Sequence, residues 1–269
     1  MEDHVAIKHE LMRVAKKNLA IIKNGYYQLG DQDFLLDRIA RVDYWPAAET
    51  KRFSASFFEK FDASHHGQID LMAETTADAC ARLANQNPVA LNFASARRPG
   101  GSFLTGTMAQ EEDLCRRTTL YASLESGLQE TEFYNEGLAD SYYSDAMLYS
   151  PEVLIIRDSN FKLQSPVKTS IITCAAPNNS SPHGKDPERL AKVLVERIRN
   201  VLGLALYTGH RTIILGAFGC GVFNNDPEMV AEIFYKYLVG RKFCRYFDRV
   251  VFAIPAGPNL DTFSNMFSQ

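Results

Sequence analysis

From Gly67 to Ile254, short apolar runs alternate with longer stretches of helical period, and no other feature of the chain constrains its fold so tightly. Ile69 to Met72 and Val89 to Phe93 read as strands flanking a helix over Thr76 to Ala84. Further strands are predicted at Val153–Ile156, Thr169–Cys174 and Thr212–Leu215, with Val250 to Ile254 closing the sheet. Leu190, Val193, Leu194, Ile198, Val201 and Leu202 form one helical stripe, starting near Asp186-Pro187. Val230, Ile233, Phe234, Tyr237 and Leu238 form another, in the last helix, with Asp226 as its cap and Pro227 at its first position. Apolar strands separated by amphipathic helices call for a sheet buried under helices, hence a layered α/β domain.

Upstream, Val5 to Lys23 carries Ile7, Leu11, Val14, Ile21 and Ile22 at helical spacing, interrupted by Asn18, and reads as an amphipathic helix. Residues 24–66 are aromatic-rich and show no clear period. Without a linker, repeat or low-complexity segment, the chain reads as one structural unit. A helical extension over 1–66 packs on a core domain over 67–269.

A net charge of −3 offers no general attraction to nucleic acid or anionic membrane, so a polyanion would have to be held by a local site. Neither sequence-specific nucleic-acid binding nor membrane association is expected. No apolar run approaches the roughly 20 residues that span a bilayer, and the charged N-terminus has no signal-peptide core. Five scattered cysteines form no C-x-x-C pair, which suits reduced thiols in a soluble, cytoplasmic protein. His65-His66 reads as a solvated loop pair, and neither a metal nor a cofactor is expected.

Two glycine-bearing loops carry the chemistry. The first runs from Asn92 through Arg98-Pro99-Gly100-Gly101-Ser102 into Gln110-Glu111-Glu112. Glycines let main-chain N–H groups approach a ligand without a Cβ in the way. Thr107-Met108-Ala109-Gln110 fits a capping box, which would place both glutamates in the first turns of a helix burying Leu114, Tyr121 and Leu124. Glu112 then points away from the core, toward solvent or toward the glycine loop. As helix-start acids, the pair could equally serve the macrodipole, with Glu112–Arg116 an ordinary surface pair. The second loop is Gly216-Ala217-Phe218-Gly219-Cys220-Gly221-Val222-Phe223, between a strand and a capped helix. It reads as a phosphate nest or as a plain strand-to-helix turn. As a dinucleotide fingerprint it lacks the third glycine and lies too near the chain end.

Taken together, these residues resemble the bacterial-type poly(ADP-ribose) glycohydrolase family, whose members are macrodomains. The family pattern is three glycines, a short spacer and Gln-Glu-Glu. Here it stands as Gly100-Gly101-Ser102, the spacer Phe103 to Ala109, and Gln110-Glu111-Glu112. The resemblance continues through LCRRTTLY, MLYSPEVLIIRD, IITCAAPN and LGAFGCGVFNNDP. It implies a three-layer α/β/α macrodomain-like fold with a mixed central sheet and an N-terminal helical extension. It also implies a hydrolase that cuts ribose–ribose bonds of poly(ADP-ribose) on ADP-ribosylated proteins and releases ADP-ribose. Glu112 would be the catalytic acid and Glu111 would hold the sugar hydroxyls. Asn92, Gly100, Gly101, Ser102 and Gln110 would line the ribose end. Gly216, Ala217, Gly219, Cys220, Gly221, Val222 and Phe223 would cradle the diphosphate and distal ribose, with Glu74 near the adenine.

Two positions depart from the pattern. Ser102 replaces the third glycine, at a cost of about 1 kcal/mol if positive φ is needed there. Arg98 stands where asparagine is common, and with Arg97 could pair with phosphates of a longer polymer. These departures leave open a module that binds ADP-ribose with weak or no catalysis, or a hydrolase of mono-ADP-ribosyl groups.

Overall fold

The computed structural model describes residues 2–130, 133–134, 140–180 and 186–268. A short hairpin of β1 (Tyr26–Leu29) and β2 (Gln32–Leu35) precedes the main sheet. That sheet is built from β3 (Asp43–Trp45), β4 (Gln68–Met72), β5 (Val89–Phe93), β6 (Met147–Arg157), β7 (Leu163–Cys174), β8 (Thr212–Leu215) and β9 (Arg249–Ala253). Across it the order is β3-β6-β7-β5-β8-β9-β4. The run from β7 to β4 is parallel, and β6 lies antiparallel to both of its neighbours, so the sheet is mixed.

Nine α-helices are described: α1 (Glu2–Asn24), α2 (Ala47–Thr50), α3 (Ala55–Phe58), α4 (Thr76–Arg82), α5 (Gln110–Arg117), α6 (Leu120–Glu130), α7 (Pro187–Tyr207), α8 (Pro227–Tyr235) and α9 (Pro258–Phe267). Strand side chains alternate between two buried cores, which is why these strands read as continuous apolar runs. Val89 and Leu91 enter one core with Ile213, Leu215, Val250 and Phe252, under α7, α8 and Phe263 of α9. Ala90, Ile214, Val251 and Ala253 enter the other, under α1, α4, α5 and α6. The result is helices, sheet, helices in three layers.

The helix starts behave as their sequences predict. Asp186 accepts from Arg189 N at 3.0 Å and Asp226 from Glu228 N at 3.0 Å, with Pro187 and Pro227 in the first turns. Elsewhere the structure corrects the reading. β9 lies between β8 and β4, so Val250 to Ile254 does not close the sheet, and α9 follows it. β6 and β7 begin well before Val153 and Thr169. Within the aromatic-rich stretch, Asp43–Trp45 adds an edge strand against β6. The stripe of Leu114, Tyr121 and Leu124 spans two helices, because Thr118 is extended and bridges Ile155. Ile7, expected in the buried stripe of α1, is 47% exposed; the packed face is Leu11, Val14, Ala15 and Asn18. Asn18 does not interrupt α1. Its amide donates to Cys115 O at 2.9 Å and Thr118 O at 2.8 Å, satisfying carbonyls at the end of α5.

Candidate active site

The parallel strands direct their following loops to one edge of the sheet, the edge where open α/β sheets hold ligands. Residues 94–109 follow β5, 175–180 follow β7, 216–226 follow β8, and 73–75 follow β4. Asn92, near the end of β5, is fully buried and donates to Glu111 Oε1 at 3.3 Å and Thr173 Oγ1 at 3.2 Å.

Both glutamates are buried, Glu111 at 3% and Glu112 at 7% exposure, and both turn toward the glycine loop rather than toward solvent. Glu111 Oε2 accepts from Ser95 N at 2.8 Å, so both of its oxygens have protein donors. Glu112 Oε1 accepts from Ser102 N at 3.0 Å. Among the described residues, Glu112 Oε2 has no hydrogen-bond partner. Burial, aided by the neighbouring Glu112 carboxyl, pushes Glu111 up to about 8, against the opposing pull of the Ser95 and Gly100 N–H groups and Asn92. Burial thus shifts Glu111 toward its neutral form, against the macrodipole of α5.

Gly101 is the tightest point of the first loop. Its φ is +57°, and a Cβ there would lie 2.5 Å from Glu112 Oε1 and 3.1 Å from Glu111 Oε2. A Cβ at Gly100, φ +67°, would meet the Phe103 ring and Cys115 Sγ. Only glycine satisfies both the left-handed backbone and this closeness. Ser102 is different: its φ is −113°, an ordinary value for an L-residue, so serine there carries no left-handed penalty.

The expected capping box does not form. α5 starts at Gln110 behind Ala109, which makes no side-chain cap. Gln110 instead braces three elements. Its Oε1 accepts from Phe93 N at 2.8 Å, and its Nε2 donates to Leu91 O at 2.8 Å and Thr76 Oγ1 at 3.0 Å. These partners make Gln110 a positioning residue between β5, α4 and the glutamates. Nor is Arg116 a surface partner of Glu112. It is 1% exposed and donates to Phe103 O at 3.1 Å and to Thr107 O, closing the spacer over α5.

The second loop contains Gly219 at φ +75°, where a Cβ would collide with the Asn225 amide and Ala176. Within it, Cys220 N donates to Ala217 O at 3.1 Å and Asn225 N to Gly219 O at 3.1 Å. Among the described residues, the N–H groups of Gly219, Gly221, Val222 and Phe223 find no protein acceptor. Four free donors on one turn are the arrangement an anion nest requires. Gly216 lies deeper, where a Cβ would meet Phe93 and Ala253 O. The half-buried Phe223 ring packs on Tyr143 at 5.8 Å, and Phe223 O accepts from Asn179 N at 2.9 Å.

Glu74 follows β4 at the same edge, with its carboxylate paired to Arg82. His65 is paired with Asp248 at 2.6 Å, so only His66 is a solvated member of that pair. Among the described residues, no cluster of three or more His, Cys, Asp or Glu side chains could hold a metal ion. No described helix is long and apolar enough to cross a membrane. The sequence reading missed Ser95 and Asn225. Ser95 Oγ accepts from Arg97 N and Arg98 N, both at 3.2 Å, while its own N–H holds Glu111. Asn225 Nδ2 donates to Pro177 O at 3.0 Å, joining the loops after β7 and β8. A serine two residues before an Arg-Arg-Pro turn was the available signal for the first. The second has only Asn-Asn-Asp-Pro to announce it.

The chain matches the family model of the microbial-type PARG (poly(ADP-ribose) glycohydrolase) catalytic domain over residues 15–158. Among solved structures it is similar to the poly(ADP-ribose) glycohydrolase of Thermomonospora curvata, at 33% identity and a TM-score of 0.87, over 96% of this chain and 100% of that one. The same T. curvata enzyme bound to the inhibitor ADP-HPD aligns at 32% identity and 0.82, over 96% and 99%. The poly(ADP-ribose) glycohydrolase of Deinococcus radiodurans in complex with ADP-ribose aligns at 34% identity and 0.78, over 87% and 98%. No curated protein gives a significant sequence match.

Proposed function

The chain belongs to the microbial-type PARG catalytic-domain family, whose members are glycohydrolases, and on that premise we propose that it hydrolyses the ribose–ribose O-glycosidic bonds of poly(ADP-ribose) and releases ADP-ribose. The observation that carries this reading is the unequal treatment of the two carboxyls. Glu111 has both oxygens occupied and is pushed toward its neutral form by burial. Glu112 is pinned through one oxygen by Ser102 N–H and has the other free.

Glu112 is then the acid. It protonates the departing ribose oxygen as the glycosidic bond breaks through an oxocarbenium-like state, and the resulting carboxylate takes a proton from the attacking water. A neutral Glu111 beside it places no second negative charge in the pocket and donates to a sugar hydroxyl. Asn92 and the backbone of Gly100, Gly101 and Ser102 form the wall around that ribose. The Gly219–Phe223 turn takes the diphosphate on its free N–H groups, with Gly216 and Ala217 at its base and Cys220 within it. Phe223, backed by Tyr143, covers the distal ribose. Because its carboxylate is already neutralised by Arg82, Glu74 would reach an adenine only through its backbone or by releasing that pair. ADP-ribosylated proteins are the source of the polymer in this reading.

We also assign residues 1–66 to the same catalytic unit as residues 67–269. β3 adds a strand to the sheet, and Asn18 satisfies the C-terminal carbonyls of the helix that carries both glutamates. The alternative of a binding-only module rested on Ser102 misplacing the loop. Its ordinary φ and its N–H bond to Glu112 support the catalytic reading instead.

The test is release of free ADP-ribose from purified polymer. Glu112→Ala should lose a factor of about 10² to 10⁴ in kcat, the usual worth of a positioned general acid, while still binding ADP-ribose. Polymer left intact by folded wild-type protein refutes the proposal.

A further inference from the structure

We propose that Arg97 and Arg98 form a second anion subsite, which takes the diphosphate on the departing side of the scissile bond and so favours polymer over simpler ADP-ribosyl glycosides. This inference rests on the glycohydrolase reading above. Both arginines are exposed, and among the described residues neither guanidinium has a carboxylate or carbonyl partner. Several other arginines of the chain are occupied: Arg82 by Glu74, Arg117 by Asp78, Arg189 by Asp140, Arg249 by Asp70.

Their backbone, in contrast to their side chains, is held firmly. The N–H groups of Arg97 and Arg98 both donate to Ser95 Oγ at 3.2 Å, and Arg98 O accepts from Gly101 N at 3.1 Å. Ser95 N holds Glu111 and Ser102 N holds Glu112, so the arginine pair sits on the short arc of chain between the two carboxyl contacts. Three residues of chain cannot carry Arg98 more than roughly 10 Å from Ser95, and its flexible stem spans much of that distance back.

The chemistry of the substrate supplies the ligand. In poly(ADP-ribose) the leaving oxygen belongs to an adenosine ribose whose 5′ carbon carries a diphosphate only a few covalent bonds away. The acid that protonates that oxygen therefore has this diphosphate for a neighbour. The Gly219–Phe223 turn serves the diphosphate on the other side of the bond and cannot serve both. The chain as a whole, at −3, repels a polyanion. Two planar guanidinium forks with unused donors offset that repulsion and match phosphate geometry.

The experiment compares wild type with Arg97→Gln/Arg98→Gln on two substrates. One is purified poly(ADP-ribose); the other is an ADP-ribosyl glycoside whose leaving group is an uncharged phenol. The ratio of kcat/KM on polymer to kcat/KM on the aryl glycoside should fall about tenfold in the double variant. The loss should fall in KM, and the polymer KM should depend less steeply on salt, by about one to two in log–log slope. Arg97→Lys/Arg98→Lys, which keeps the charge but not the fork, should recover part of the ratio. An unchanged ratio in the Gln variant, with both substrates cleaved, overturns this inference alone. Failure of the wild type to cleave either substrate overturns the glycohydrolase reading beneath it.

Discussion

Replacing Gly101 with alanine should separate catalysis from stability more cleanly than any change to the glutamates themselves. Two costs arise. An L-residue at φ +57° adds about 1–2 kcal/mol of backbone strain. The new methyl would lie 2.5 Å from Glu112 Oε1, whereas ordinary contact begins near 3.4 Å, so the carboxyl must retreat by close to 1 Å. Glu112 ends in a rotatable carboxyl, and the move weakens its bond to Ser102 N without unpacking the core. Stability should therefore drop by little more than the strain, a fall in Tm of about 2–8 °C for a chain of this size. Catalysis should suffer far more, since a displacement of about 1 Å at a reacting group costs on the order of 100-fold in kcat. Initial rates of ADP-ribose release, fitted for kcat and KM, and thermal melts of the same preparation decide the matter. A kcat within threefold of wild type would refute the claim that Gly101 sets the position of Glu112. So would unfolding at room temperature, which would make the loop a structural keystone.

Two further outcomes follow from the same loop. Ser102 already has an ordinary φ, so Ser102→Gly relieves nothing; it should give no rise in kcat and lower stability by about 0.5–1 kcal/mol, and a several-fold gain in kcat would show that the side chain obstructs the loop. Glu111 is neutral in the fold up to about 8 but ionises near 4.5 when unfolded, so between those values the unfolded chain binds fewer protons. Its contribution to stability is full below pH 4.5 and lost as pH rises to 8, and the melting difference between wild type and Glu111→Gln should shift by a few kcal/mol against wild type over that window; a flat difference would contradict the buried, neutral acid.

Local signals carried far into this structure and then stopped at tertiary contacts. Val89–Phe93 and Thr212–Leu215 were legible to the residue, because a strand buried on both faces leaves a short, nearly continuous apolar run. Asp186-Pro187 and Asp226-Pro227 announced α7 and α8, since a cap and a first-turn proline are local chemistry. Gln110 shows the limit. Its spacing from Thr107 fits a capping box, but three partners from β5 and α4 outbid that local bond. Asn18 looked like a fault in an apolar stripe because its reason lies in carbonyls of a distant helix. α9 and β3 were not anticipated; β3 is three residues long and gains its identity only beside β6. At the site, the glutamates and both glycine loops were legible by pattern. Which carboxyl keeps a free oxygen, and that Ser102 needs no positive φ, were not, since both depend on how the backbone turns.

The Asn18 clasp has a consequence for the order in which the protein is made. Its two acceptors lie 97 and 100 residues further along the chain. At ribosomal speeds of about 5–20 residues per second, α1 emerges roughly 5–20 s before the helix that it holds. During that interval the Asn18 amide has neither of its acceptors on α5. The first helix to be synthesised is thus fully seated only after the glutamate helix exists, and nascent chains stalled short of Cys115 leave the Asn18 amide without its clasp.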